Sequence, residues 1–240
     1  MQAFILAAGL GTRLKPLTDH LPKALVEVQG MPLLKITIDN LIRQGVSRIV
    51  VNVHHFAPMV CKYLNSQRWD VPISISDESG ILLDTGGGLK KAQPLFAKSE
   101  PILIHNVDIL SHLNISELIQ KHTGSTSLAT LVVSHRDTSR YLLFDRQDQL
   151  TGWRNKTTGE CKWVNDPTDE CRELAFDGIA LIEPEMLDYL PPATQPYSII
   201  PAYLELAKGH RINYFELPPL HWLDVGKPET LKEAQQWNLF

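Results

Sequence analysis

The sequence predicts an α/β protein in which helices layer onto a largely parallel central sheet, with a smaller and more antiparallel region in its second half. Three observations carry this. Short runs rich in β-branched residues, such as Arg48-Ile49-Val50-Val51-Asn52-Val53 and Pro101-Ile102-Leu103-Ile104-His105, are apolar on both faces, as strands covered by helices on each side must be. Through the first half they alternate with stretches of helical period, the mark of βαβ construction. From residue 127 onward, strand-like runs follow one another with fewer helices between them.

Residues 3–8 read as a buried strand that breaks into a Gly-rich loop, Gly9-Leu10-Gly11-Thr12-Arg13. Pro32 suits the first turn of a helix on which Leu34, Ile38, Leu41 and Ile42 recur, and Gly45 supplies its stop. A strand over 48–53, a helix over 58–64 and a strand over 72–76 follow. Asp84-Thr85-Gly86-Gly87-Gly88 then reads as a loop before the strand over 101–105. Gly124-Ser125-Thr126-Ser127 reads as a turn. Strands over 127–133, 141–144, 161–164 and 174–182 form the antiparallel region, expected to fold over the sheet as a lid or substrate subsite. Pro191-Pro192 and Pro196 mark a loop. Helices over 199–208 and 228–237 flank a strand over 211–217.

Composition bounds the function. A chain of 240 residues is expected to form one domain, and 43% hydrophobic with 21% charged residues is ordinary globular composition. No segment has the ~18 uninterrupted apolar residues of a membrane span, and the first apolar run lacks a preceding basic stretch, so a cytoplasmic location is expected. Cys61, Cys161 and Cys171 leave one thiol unpaired and show no CxxC spacing, against a disulfide framework or structural zinc. A net charge of −4 gives no global reason to expect nucleic acid as a partner.

The cations near the opening loop must then serve something small and anionic. No GxxxxGK[ST] pattern exists, and the dinucleotide fingerprint fails where Leu14 stands for its third glycine. That disfavours a dinucleotide-dependent oxidoreductase. What remains is a strand-to-loop turn in which Gly9 and Gly11 let backbone N–H groups approach a phosphate, with Arg13, Lys15 and Lys23 as cationic clamps. Asp108 follows a central strand and Asp224 precedes Gly226. Two carboxylates from separate strand ends, joined by substrate phosphates, would suit Mg²⁺, although each alone also fits a turn or helix N-cap. His54-His55 and His105 read as packing residues, and no GxSxG nucleophile elbow is present.

Leu6 to Lys23, continued by Leu25, resembles the opening signature of the sugar-1-phosphate nucleotidyltransferase family, LAAGxGTRLxPLTxxxPKxL. Supporting matches are Asp84-Thr85-Gly86-Gly87-Gly88, Asn106 with Asp108, Phe176-Asp177-Gly178-Ile179, and His221-Trp222-Leu223-Asp224-Val225-Gly226; the stretch 134–173 matches poorly. Within the family the chain looks most like the short N-acetylmuramate-1-phosphate uridylyltransferases and the mannose-1-phosphate guanylyltransferase-like members.

The resemblance implies a three-layer α/β/α Rossmann-like sandwich, with residues 1–125 mainly binding nucleotide and 126–240 mainly binding sugar phosphate. It implies that Ala8, Gly9, Gly11, Thr12 and Arg13 wrap the nucleotide, that Lys23 sits near its phosphates, and that Asp84, Thr85, Gly86 and Asn106 contact it. Catalysis would rest on Arg13, Lys23 and Asp108, with Mg²⁺ on Asp108 and Asp224. Gly178 would lie beside the sugar, and Tyr141 stands where the family places a polar sugar contact. Val107 replaces the glycine usual before the metal-binding Asp, so its side chain must turn away from the nucleotide.

The implied reaction joins a nucleoside triphosphate, UTP before GTP, to a sugar-1-phosphate and releases pyrophosphate. A monomer or homodimer is expected, with neither nucleic acid nor membrane as partner. The competing class is a sugar-nucleotide sensor without turnover, favoured only by Val107.

Overall fold

The computed structural model describes residues 1–167, 170–218 and 221–239. In chain order the first elements are β1 (Gln2–Leu6), three 3-10 turns over Thr12–Leu14, Leu17–Asp19 and Lys23–Leu25, and a small ribbon of β2 (Glu27–Val28) and β3 (Met31–Pro32). Then come α1 (Leu33–Arg43), β4 (Arg48–Val53), α2 (Ala57–Ser66), β5 (Ile73–Asp77), α3 (Asp84–Ala92), β6 (Ile102–Asn106), β7 (Ile109–Ser111) and α4 (Ile115–Ser125). The second half supplies β8 (Ala129–Ser134), β9 (Arg140–Phe144), β10 (Leu150–Asn155), β11 (Cys161–Trp163), β12 (Arg172–Ile182), α5 (Met186–Tyr189), α6 (Ile199–Leu206), β13 (Ile212–Glu216), β14 (Trp222–Asp224) and α7 (Pro228–Ala234).

The strand period of two sorts side chains onto opposite faces of the sheet. Ala3, Ile5, Ile49, Val51, Leu103 and Val132 face one core with α1, α2, α4 and α7. Phe4, Val50, Ile102, Ile104, Leu131 and Val133 face the other, with α3, α5 and α6. The result is the expected three-layer sandwich with a mixed, mainly parallel sheet.

Strands β5, β4, β1 and β6 lie side by side and parallel. β12 pairs antiparallel with β6 on one side and β8 on the other, and β13 pairs parallel with β8. The chain leaves β1 toward β4 and β5 and returns to place β6 on the other flank of β1. The sheet therefore has a topological switch point there, where loops diverge and open a crevice. In the register, Leu6 stands beside both Asn52 and Asn106, so three strand ends finish at one level.

Several expectations need correction. Asp84 to Gly88 form the start of α3, not a loop. Gly124 and Ser125 lie in the last turn of α4, a helix whose weak apolar stripe does not announce it, and only Thr126 turns, with φ +52°. β8 and β12 are members of the main sheet. β9 hydrogen-bonds to the first residues of β12 and continues through β10 and β11, so the antiparallel region extends the sheet sideways and does not fold over it. The strand β10, Leu-Thr-Gly-Trp-Arg-Asn, was not legible because Gly152 interrupts its pattern; there Leu143 Cδ1 and the Lys162 carbonyl leave no space for a Cβ. Gly45 does end α1, at φ +85°, with its N–H and that of Val46 closing on Ile42 and Leu41 carbonyls.

Candidate active site

The three level strand ends floor a cavity of ≈ 430 Å³. Leu6, Ala8, Gly9 and Asn52 line one part of it, Leu82, Asp84, Thr85 and Pro196 another, and Asn106 and Asp108 a third. The loop after β1 approaches the cavity with its backbone. Ala7 and Ala8 donate their N–H groups to Asn52 Oδ1 at 2.7 and 3.2 Å. The amides of Gly9, Leu10 and Gly11 donate to no protein group among the described residues and remain available to a ligand. Gly11 has φ +67° and packs so tightly on Thr18 that a Cβ would lie 2.9 Å from Thr18 Cγ2, which closes the loop back on itself; Thr18 Oγ1 donates to the Gly11 carbonyl at 2.8 Å.

At one mouth of the cavity the charges predicted from sequence converge. Lys23 Nζ donates a short hydrogen bond to Asp108 Oδ2. Arg13 places one guanidinium nitrogen 3.2 Å from Asp224 Oδ2 and the other 3.9 Å from Asp108 Oδ2. Asp224 is fixed in turn, because its Oδ1 accepts from Gly226 N–H at 2.7 Å and Val225 N–H donates to the Asp108 carbonyl at 2.8 Å. A Cβ at 226 would stand within 3 Å of both the Arg13 guanidinium and the Asp224 carboxylate, so a side chain there would displace one of them. Two carboxylates and two cations separated by up to 211 residues in the chain thus occupy one corner. Thr12 opens the 3-10 turn that carries Arg13.

Val107 is 3% exposed and sits among core residues of the α1 face, so its side chain does turn away from the cavity. Gly178 is needed twice over: it has φ +75° at an irregularity in β12, and a Cβ there would stand 2.6 Å from Asn106 Nδ2. Gly86 is occupied differently from expectation. Its N–H donates to the Tyr197 carbonyl at 2.9 Å and the Tyr197 ring covers its Cα, so the glycine serves packing of α3 against the 191–198 loop. Asp84, with φ +60°, and Thr85 line the cavity. Tyr141 is buried outside the cavity lining; its hydroxyl accepts from Thr138 N–H at 3.1 Å, and Lys156 Nζ lies 4.4 Å from its ring centre.

Sequence reading passed over Asn52, Glu78 and the Arg136–Asp177 pair. Asn52 was visible as the one polar side chain in Ile-Val-Val-Asn-Val, a signal that an apolar strand ends in a purpose. Asp177 is buried and accepts from Ser134 Oγ at 2.9 Å and Arg136 Nε at 3.0 Å; burial still pushes its pKa up to about 6 against the pull of those donors. Arg136 lies 4.1 Å above the Trp222 ring, whose N–H donates to the Asp177 carbonyl at 2.9 Å, and so ties β14 and Asp224 to the main sheet. His105 is held neutral, its pKa lowered by burial to about 4, and its Nδ1–H donates to the Asn106 carbonyl. His54 Nδ1–H likewise donates to the Glu78 carbonyl. Among the described residues no group of three or more His, Cys, Asp or Glu side chains could hold a metal ion by itself.

Comparison with known proteins identifies the family. The chain is 32% identical to the N-acetylmuramate alpha-1-phosphate uridylyltransferase of Caulobacter vibrioides over 97% of its own length and 95% of the relative's. It is 29% identical to a mannose-1-phosphate guanyltransferase of Gibberella zeae, covering 95% of this chain but 62% of that one. Among solved structures, HddC from Yersinia pseudotuberculosis superposes with a TM-score of 0.77 at 21% identity, covering 98% of each chain, and shares the fold. A sequence model of the nucleotidyl transferase family matches residues 2–239, and with that match spanning the strand-end cavity and its charged corner, the chain belongs to the nucleotidyl transferase family.

Proposed function

We propose that this chain transfers the uridylyl group of UTP to N-acetylmuramate-1-phosphate or a related hexose-1-phosphate, releasing pyrophosphate. The observation that supports this most is the convergence of Arg13, Lys23, Asp108 and Asp224 at the mouth of a cavity floored by Leu6, Asn52 and Asn106. A sugar-1-phosphate oxygen attacks the α-phosphorus; that O–P bond forms as the bond from the α-phosphorus to the bridging oxygen of pyrophosphate breaks. The attacking phosphate is already ionised, so no strong general base is required. Catalysis reduces to holding two anions in line and balancing their charge.

Each residue has a part in that reading. The free amides of Gly9 and Gly11 hold phosphate oxygens, and Thr12 closes the loop around them. Arg13 and Lys23 neutralise phosphate charge, while Asp84, Thr85 and Asn106 border the nucleoside. Residues 1–125 supply the nucleotide side and 126–240 the sugar-phosphate side of one domain, which Gly178 reaches through its contact with Asn106. Tyr141 acts on the sugar only through the 136–141 segment it braces. Unchanged sugar ranking in Tyr141→Gly removes it from this role.

Asp108 and Asp224 fit a hard divalent cation, since their oxygens reach one guanidinium from the β6–β7 turn and the end of β14 and leave phosphate and water to complete the shell. Mg²⁺, when bound there, would neutralise and orient the α- and β-phosphates. The reading is of a cytoplasmic enzyme, monomeric or homodimeric, in cell-wall or glycan precursor metabolism.

The mannose-1-phosphate guanyltransferase relatives favour a second reading, GTP with mannose-1-phosphate, to which we add heptose-1-phosphate as a related acceptor. A matrix of UTP and GTP against N-acetylmuramate-, N-acetylglucosamine-, mannose- and heptose-1-phosphates, read by pyrophosphate release with Mg²⁺, decides between them. Fastest turnover of UTP with N-acetylmuramate-1-phosphate is expected. Fastest turnover of GTP with mannose- or heptose-1-phosphate selects the second reading, and no product from any pair leaves only a sensor.

A further inference from the structure

Glu78 is 0% exposed, and no Lys, Arg or His side chain pairs with its carboxylate among the described residues. Burying a carboxylate without a cation is costly, so a neutral amide would be expected unless the site needs two acceptors at once. It does. Glu78 Oε1 accepts from Asn52 Nδ2 at 2.7 Å, and Oε2 accepts from Leu83 N–H at 3.0 Å. Asn52 has no freedom in the matter: its Oδ1 takes the Ala7 and Ala8 N–H groups, which leaves its Nδ2 as a donor that only an acceptor can meet. Gly88 completes the fit, because a Cβ there would stand 2.6 Å from Glu78 Oε1 and 3.0 Å from Asn52 Nδ2. The backbone of Glu78 is anchored as well, its N–H to the Val53 carbonyl at 2.8 Å and its carbonyl to His54 Nδ1–H at 2.7 Å.

We infer that the buried Asn52–Glu78 pair is a positioning device that sets the two sides of the nucleotide cavity against each other. One end of the relay holds Ala7 and Ala8, which lead into Gly9; the other holds Leu83, between Leu82 and Asp84. Ala8, Gly9, Leu82 and Asp84 all line the cavity. Asn52 lines the cavity too, whereas neither Glu78 nor the Leu83 amide touches it, so Glu78 acts through Asn52 and the backbone that the pair orients. The inference rests on the reading that this cavity takes a nucleoside triphosphate.

Exchange of the two groups tests it. Glu78→Gln leaves one acceptor for two donors, and Asn52→Asp sets two carboxylates face to face. In the double exchange Asn52→Asp with Glu78→Gln, the new aspartate accepts from Ala7 and Ala8, the new glutamine donates to that aspartate, and its oxygen accepts from Leu83. Every hydrogen bond is then restored, with the charge moved from residue 78 to residue 52 at the cavity wall.

Calorimetric titration with UTP and with GTP is expected to show each single variant binding its preferred nucleotide about tenfold or more weakly, the scale of one lost buried hydrogen bond. The KM for sugar-1-phosphate should be unchanged within about threefold, and the double exchange should bind nucleotide more tightly than Asn52→Asp alone, since both carry the same charge at the cavity wall and only the double restores the hydrogen bonds. Single variants that bind as tightly as wild type, or a double exchange that binds no more tightly than Asn52→Asp, overturn the inference. So does an equal loss for both substrates accompanied by a lower melting temperature, which marks a merely structural pair. Should the singles not fold, Gly88→Ala, which crowds the same carboxylate, is read by the same titration. If the wild type binds neither nucleotide, the functional reading fails, and amide exchange tests the pair alone. Ala8 and Leu83 should then exchange faster in Glu78→Gln and recover in the double variant, and no change in either amide sinks the pair.

Discussion

Gly226 shows how little freedom the charged corner has at the scale of one residue. Its Cα lies against the Arg13 guanidinium, where a Cβ would approach Cζ to 2.9 Å, and against Asp224 Oδ1 at 2.6 Å. Gly226→Ala should therefore push Arg13 off Asp224 and lower kcat with little change in melting temperature, measurable by pyrophosphate release; unaltered kcat would show that Arg13 is not needed in its present place. Lys23→Ala and Asp108→Asn each remove one preorganised charge, and a loss of turnover of about 100-fold or more is expected for each. Near-normal turnover in purified Asp108→Asn would sink its catalytic assignment. The opening motif made Arg13, Lys23 and Gly9 legible because their residue types have few other uses at that spacing. Asn52 and Glu78 escaped because one polar residue in a strand and one acid in a turn are chemically ambiguous until their partners are known.

At the scale of the element, α3 carries three consecutive glycines for two different reasons. Gly86 and Gly87 admit the Tyr197 ring and carbonyl, while Gly88 admits the Asn52–Glu78 pair. A Gly-rich string reads in sequence as a loop, yet here close approach on both sides of a helix outweighs the helix cost of glycine, roughly 1 kcal/mol per residue. Gly86→Ala should separate α3 from the 191–198 loop and lower the melting temperature by several degrees, the shift that about 1–3 kcal/mol of overpacking produces. Scanning calorimetry checks it, and an unchanged midpoint would mean that the Tyr197 ring yields without cost. In β12, Gly178 and the irregularity between Phe176 and Ala180 let one strand serve β6, β8 and β9 in turn. No periodicity announces that division of labour.

For the whole molecule, two buried ionisable groups give stability opposite slopes with pH. His105 has its pKa lowered from 6.5 to about 4, so the unfolded chain takes up the proton first. The stability linked to neutral His105 is full above about pH 6.5 and is lost as pH falls toward 4. Asp177 has its pKa raised from 3.8 to about 6, so the native state takes up its proton first. Its contribution is full below about pH 4 and is lost as pH rises through 6. His105→Gln should flatten the acid-side loss between pH 6.5 and 4, and Asp177→Asn should remove the opposing slope between pH 4 and 6. Urea midpoints across that range measure both, and unchanged slopes would show that neither group is buried as the structure has it.

The layered α/β class, the order of most elements and a first loop whose glycines and cations suit an anion were legible in the sequence alone. These follow from local information: side-chain period, the conformational freedom of Gly11, and a run of cations with no other evident use. Only the tertiary structure decided that Asp224 meets Arg13, that Asn52 and Glu78 join the two sides of the cavity, and that Tyr141 stands outside it. Those facts depend on strand order and register, because β1, bordered by β4 and β6, brings together residues whose separation along the chain carries no trace of their contact.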